Sequence, residues 1–218
     1  GDVTTPVPAR SAFVNSTIGG NVQADVSESA TGAFHGATIG GAVSGQWDAA
    51  GAFEGATIAR SVTGTLTATA TSAFSDADIG GDVTTPVPAR SAFVNSTIGG
   101  NVQADVSESA TGAFQGARMD TMQVSRGILP TSFAERAQMN HLLLEATVVC
   151  PESSLPLQMA SITSLTLFDS SVCSAWGSSP ATVGHLDYFG DVERLRDTHD
   201  LLTTSVLLQV TGGSRDIG

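Results

Sequence analysis

The dipeptide Ala-Phe recurs six times, at Ala12-Phe13, Ala33-Phe34, Ala52-Phe53, Ala73-Phe74, Ala92-Phe93 and Ala113-Phe114, with spacings of 21, 19, 21, 19 and 21 residues. Other positions keep step with it. Four residues after the Ala comes a small side chain (Ser16, Ala37, Ala56, Ala77, Ser96), and six after it an isoleucine (Ile18, Ile39, Ile58, Ile79, Ile98). Ten after it comes a valine (Val22, Val43, Val62, Val83, Val102), and fourteen after it Val26, Trp47, Leu66, Val87 or Val106. A unit of ~20 residues is too short to close a core alone and must bury its apolar side chains against its neighbours.

Helical repeats run to ~33 residues or more and need good helix formers. Here the repeat is rich in Gly, Thr, Val and Ser, and Leu66 is its only leucine before residue 116. That composition suits strands and turns. The expected fold is mainly β: residues 1–115 form a parallel β-solenoid, with Phe, Ile and Val in inward ladders every ~4.8 Å. About five and a half coils make a rod about 25–30 Å long. The alternating closing arm makes the true unit a pair of coils. Gly19, Gly40, Gly80 and Gly99, each followed by a second glycine, sit at one phase straight after the isoleucine. Because glycine permits positive φ, this phase is expected to be a tight corner.

Residues 1–34 are identical to residues 81–114, solvent-facing positions included. Packing asks only for the ladder positions, so full identity points to recent duplication or deliberate construction, or to coils that present identical stacking faces. The chain opens in the middle of a repeat with nothing resembling a cap. Either upstream coils or a head-to-tail polymer is expected, since an open coil leaves unpaired N–H and C=O groups.

The repeat pattern changes at Arg118-Met119-Asp120, where Asp replaces the corner glycine. Fourteen leucines, all four methionines, Cys150 and Cys173 lie beyond that point. Residues 116–218 are therefore expected to form a smaller α+β capping and association region. Ser132-Phe133-Ala134-Glu135 fits a capping box and predicts a helix to about Leu144 or Ala146, burying Phe133, Ala137, Met139, Leu142 and Leu143. Ser161–Leu167 reads as a strand. Asp191–Leu208 reads as a helix ending near Gly212, with Thr203–Val210 as an alternative strand. Two cysteines suffice for one disulfide but do not fix the redox compartment.

The net charge is −12, from 21 acidic residues against nine arginines and no lysine. Such a chain repels polyanions, which argues against nucleic acid as a partner. No apolar run approaches the length of a membrane span. Asp76, Asp78 and Asp82 cluster at one corner, and Asp25, Glu28, Asp105 and Glu108 recur in the long arms. Paired carboxylates along a groove would suit polysaccharide chemistry, yet solvated loop acids that keep a rod soluble explain them better. The alternation Thr63, Thr65, Thr67, Thr69, Thr71 lines one side of a strand, but one coil alone carries it, so an ice-binding plane is not supported. His35, His141, His185, His199 and the cysteines lack metal-ligand spacing. Trp47 falls at an inward phase, while Trp176 and Tyr188 are candidates for a contact surface. No catalytic residue, cofactor or metal site is expected.

The rungs Ala37-Thr38-Ile39-Gly40-Gly41-Ala42-Val43-Ser44-Gly45 and Ala56-Thr57-Ile58-Ala59-Arg60-Ser61-Val62-Thr63-Gly64 resemble coils of bacterial β-solenoid structural proteins. Secreted adhesins and autotransporter passengers are similar in their Gly/Thr/Ser-rich coils and lysine-poor composition. Bactofilins, cytoskeletal polymers, are similar in the A-x-I-x-G-x-V-x-G phrase, although their coils are shorter and more regular. The resemblance covers residues 1–115 and carries no functional residues across. It implies a structural, non-enzymatic protein at the cell surface or outside the cell, with a cytoplasmic polymer as the alternative. Copies of itself are the expected partner, with a carbohydrate or host surface second. A carbohydrate-active solenoid enzyme remains the competing class.

Overall fold

The computed structural model describes residues 1–149, 156–168, 181–189 and 207–210, and these residues build the expected parallel β-solenoid. Each early coil contributes two short strands. β1 (Thr17–Ile18) and β2 (Val22–Gln23) are followed by β3 (Thr38–Ile39) and β4 (Val43–Trp47). β5 (Thr57–Ile58) and β6 (Val62–Leu66) come next, then β7 (Asp78–Ile79) and β8 (Val83–Thr84). From the fifth coil the two merge into one long strand per coil: β9 (Thr97–Val106), β10 (Arg118–Ile128), β11 (Gln138–Val149), β12 (Ser161–Phe168) and β13 (Thr182–Phe189). β14 (Leu207–Val210) extends the same sheet.

Register is held by like on like. Ile18 pairs with Ile39, Ile39 with Ile58, Ile58 with Ile79 and Ile79 with Ile98, all parallel. The valine column runs Val22, Val43, Val62, Val83, Val102 in the same way. A shift of one residue would send every one of these side chains to the solvent face, so the apolar column fixes the register. Behind it the phenylalanine rings of Phe13, Phe34, Phe53, Phe74, Phe93 and Phe114 stack face to face, with centroids 4.8–5.1 Å apart and planes within 5°. Phe34, Phe53, Phe74, Phe93 and Phe114 are fully buried, as are the interior isoleucines and valines.

The turns sit around the phenylalanine. A left-handed residue stands just before each Ala-Phe and another two places after it: Ser11 and Asn15, Gly32 and Gly36, Gly51 and Gly55, Ser72 and Asp76, Ser91 and Asn95, Gly112 and Gly116. Gly, Asn and Asp tolerate this conformation best. This corrects the expectation for Gly19, Gly40, Gly80 and Gly99, none of which has a left-handed φ. The chain does bend between β1 and β2, and where glycine stands there the coils stack closely backbone on backbone, while Ala59 and Arg60 fill the same phase in one coil. A Cβ on Gly40 would lie 2.9 Å from the Gly19 carbonyl oxygen, and one on Gly80 would lie 2.7 Å from that of Ala59.

The sheet passes residue 116 without interruption, β9 pairing in parallel with β10 and β10 with β11. The helix expected over residues 132–146 is replaced by a turn and β11. Ser132 and Arg136, each with a φ of 57°, are left-handed like the flanking residues of earlier turns, so Ser132-Phe133-Ala134 is a turn with the dipeptide inverted. Phe133 consequently meets Phe114 edge to face, with planes at 71°, and ends the parallel stack. Leu142 and Leu144 point inward while Leu143 is half-buried, a period of two rather than of a helix. Ser161–Phe168 is a strand, as expected, and 207–210 lies in a strand. The rest of the expected helix over 191–208, both cysteines, Trp176 and His199 fall outside the described residues.

Losing the second bend residue straightens the later coils. Met119 pairs with Ile98 and Thr121 with Asn101, so one residue of β10 spans what two residues of β9 span. Beyond residue 118 the inward residues follow one motif, apolar-x-x-apolar-x-apolar: Met119, Met122, Val124; Met139, Leu142, Leu144; Ile162, Leu165, Leu167; Val183, Leu186, Tyr188.

Candidate functional site

Because residues 1–34 repeat as 81–114, the molecule contains the same surface in two environments. In the interior copy, the coil of residues 57–79 covers residues 81–98. Val62 N–H donates to the Asp82 carbonyl at 2.8 Å, Ser72 N–H to Arg90 at 3.1 Å, Phe74 N–H to Ala92 at 2.7 Å and Asp76 N–H to Val94 at 2.8 Å. In return, Thr97 N–H donates to the Ala77 carbonyl at 2.9 Å. The Phe74 and Phe93 rings lie 5.1 Å apart in parallel planes. Side chains add Ser75 Oγ to the Ser91 carbonyl at 3.1 Å and Asn95 Nδ2 to Asp76 Oδ1 at 3.3 Å.

In the copy at residues 1–18 that face is open within this chain. Ala9 and Ala12 are exposed where Ala89 and Ala92 are buried. Val3 and Phe13 are half-buried where Val83 and Phe93 are sealed, and Thr5 is exposed where Thr85 is 2% exposed. Among the described residues, no backbone N–H reaches the carbonyls of Asp2, Arg10 or Ala12. A Cβ placed on Gly19 meets nothing, whereas one on Gly99 would stand 3.1 Å from the Gly80 carbonyl oxygen. The outer face of this first coil is therefore a flat row of strand edge and apolar side chains, the kind of edge that pairs with another chain.

Of the acidic residues singled out in the sequence, Asp25, Asp76, Asp82 and Asp105 have structural partners. Asp82 Oδ1 accepts from the Asn101 backbone N–H at 2.8 Å, Asp2 Oδ1 from Asn21 N–H at 2.7 Å, and Asp25 Oδ1 from Gln46 N–H at 2.8 Å. Asn21 Oδ1 serves Ala42 N–H in the same manner at 2.8 Å. Each carboxylate or amide thus satisfies an amide on the next coil near a bend or bulge in the ladder. Asp105 pairs instead with Arg126 at 2.7 Å. Asp76 and Asp78 are exposed, as are Glu28 and Glu108. The structure does not bring these acids together into a ligand cage: among the described residues, no three His, Cys, Asp or Glu side chains converge to hold a metal ion.

Of the threonine row, Thr63 and Thr65 lie on β6 and are exposed, while Thr67 and Thr69 leave the strand and bond to each other at 2.8 Å. His35 faces Glu54 at 4.0 Å and His185 faces Asp187 at 3.1 Å. Trp47 is buried against Phe53 and Phe74 edge to face. Tyr188 is fully buried in the ladder, which corrects its reading as a contact residue. A shallow groove of about 370 Å³ runs beside Pro86-Val87-Pro88, bordered by Asp105, Ser107 and Arg126. Among the described residues no helix is long and apolar enough to cross a membrane. The sequence signal for the open face was the identity of 1–34 with 81–114, but only the structure shows that residues 57–79 cover the interior copy.

Searches of family models, curated proteins and solved structures find no match to the chain. The class of protein is accordingly defined by its fold alone: a parallel β-solenoid of tandem coils.

Proposed function

We propose that the protein is a structural, non-enzymatic solenoid that associates through its coil ends, displayed at the cell surface or outside the cell as a filament subunit or adhesin. The observation that carries this reading is the open edge of residues 1–18, whose duplicate at 81–98 is fully covered by another coil. A surface that buries phenylalanine and alanine in one place favours burial in the other, since apolar area removed from water stabilises by roughly 25 cal/mol per Å². The net charge of −12 opposes contact between chains, so association strengthens as ionic strength rises. Negative-stain electron microscopy over rising protein concentration and salt tests the proposal. Long, thin, unbranched rods are the expected result; isolated short particles under every condition defeat it.

A second reading is a polysaccharide-binding module, favoured by the groove beside Pro86–Pro88 with its Arg126–Asp105 pair. Saccharide titration followed by amide shifts at Arg126 and Gly127 distinguishes it.

A further inference from the structure

We infer that the outer face of residues 1–18 is a specific seat for a coil with the sequence of residues 57–80, supplied by a second copy of the 80-residue block 1–80. An internal duplicate shows how such a seat is filled. Residues 81–98 have the same sequence as residues 1–18, and there the seat is occupied by residues 57–79. Every feature that receives that coil has its counterpart at the open face. The carbonyls of Asp82, Arg90, Ala92 and Val94 correspond to those of Asp2, Arg10, Ala12 and Val14, and the Phe93 ring corresponds to Phe13. Gly99, which approaches the Gly80 carbonyl, corresponds to Gly19, which has open space above it.

The occupant is set by side chains as well as by the ladder. Ser61 Oγ accepts from Asp82 N–H at 3.2 Å, and Asp76 Oδ1 receives Asn95 Nδ2. In the equivalent interface one two-coil period earlier, where residues 17–35 meet residues 36–54, these positions are filled differently: Asn21 stands where Ser61 stands and serves Ala42 N–H. Two coils of the same phase thus carry different side chains, and the seat at residues 1–18, with Asp2 and Asn15 in the places of Asp82 and Asn95, matches the one that ends at Gly80. Residues 1–80 form a block whose last coil fits its own first coil. This seat gives the coil-end association proposed above a defined partner, although its physical basis is independent of that reading.

The test is to place a second copy of residues 1–80 directly ahead of Gly1 in the full chain, so that Gly80 of the added block joins Gly1. Amide hydrogen exchange at Thr17 is the readout, because its counterpart Thr97 donates to the Ala77 carbonyl. The expected result is at least tenfold slower exchange at Thr17 in the extended chain, with a single unfolding transition at higher temperature. A control in which Phe74 of the added block is changed to Glu is expected to return Thr17 to its original rate. If the added block folds while Thr17 exchanges as before, the block does not use the seat and the inference is overturned. Should the 80-residue addition be insoluble, an addition of residues 41–80 alone asks the same question, and insolubility or unchanged exchange there also counts against it. Failure at Thr17 leaves rods built through other surfaces intact, and absence of rods in microscopy leaves the seat intact, so the two ideas fail separately.

Discussion

Trp47 and Gly64 share one space: a Cβ added to Gly64 would stand 2.6 Å from the indole Cη2 of Trp47. Gly64 lies on the coil after Trp47, two residues before Leu66, which pairs with Trp47 in register. One coil carries an indole where its neighbours carry Val26 and Leu66, and the next coil gives up a side chain to admit it. Gly64→Ala is therefore expected to destabilise by ~2–3 kcal/mol through overpacking. Trp47→Leu in the same chain is expected to recover only part of that loss, because the Gly45 carbonyl also crowds the position. Chemical denaturation of the single and double variants checks both expectations.

The two kinds of glycine separate cleanly. Gly55 has a φ of 66°, and a methyl group added there would have only Gly36 N nearby, at 4.0 Å. Gly55→Ala therefore reports conformational cost alone, ~1 kcal/mol. Gly41 has ordinary φ but would set its Cβ 2.6 Å from the Gly20 carbonyl carbon. Gly41→Ala forces two coils apart and is expected to cost more than Gly55→Ala. Urea midpoints for the pair decide it; equal losses would mean that the coils open without resistance.

Phe13 and Phe93 occupy the same place in identical sequences, yet one is half-buried and the other sealed. Phe93→Ala is expected to cost ~3–5 kcal/mol, the usual range for an aromatic core residue. Phe13→Ala is expected to cost well under half as much. Any approach of the Phe13 value to the Phe93 value on raising protein concentration would report that the open face becomes covered.

Asp82 is an acceptor for an orphaned amide rather than a charge. Asp82→Ala removes the partner of Asn101 N–H and is expected to cost up to ~1 kcal/mol. Asp82→Asn keeps the oxygen and is expected to stay within a few tenths of wild type. Thermal melts of the two variants distinguish hydrogen bonding from electrostatics, since a charge effect would make them alike.

The first five coils are legible in the sequence because each position is repeated: Ile on Ile and Val on Val leave a periodic trace that needs no knowledge of side-chain contacts. The turn is harder to place. Paired glycines advertise a corner, yet the left-handed residues include Ser11, Asn15, Ser72 and Asp76, which look like ordinary polar residues. The paired glycines mark close approach instead, a property of two coils rather than of one. Beyond residue 118 a helix is suggested because Ser132-Phe133-Ala134-Glu135 fits a capping box and Phe133 and Ala137 stand four residues apart. The motif shared by Met119-Asp120-Thr121-Met122-Gln123-Val124 and Met139-Asn140-His141-Leu142-Leu143-Leu144 carries the later coils, but its spacing differs by one residue from the earlier ones. The open face is only half legible: the duplication is plain, while its stacking partner needs three dimensions.

The identity of residues 1–34 with 81–114 also bears on inheritance. Recombination between the two segments within a gene would excise 80 residues, the offset between residues 1 and 81. Residue 34 would then lead straight into residue 115, and residues 1–18 would take up the packing that residues 81–98 already make with residues 101–119. Rod length is thus a quantity that lineages can adjust in fixed steps, with the register of the ladder left unchanged.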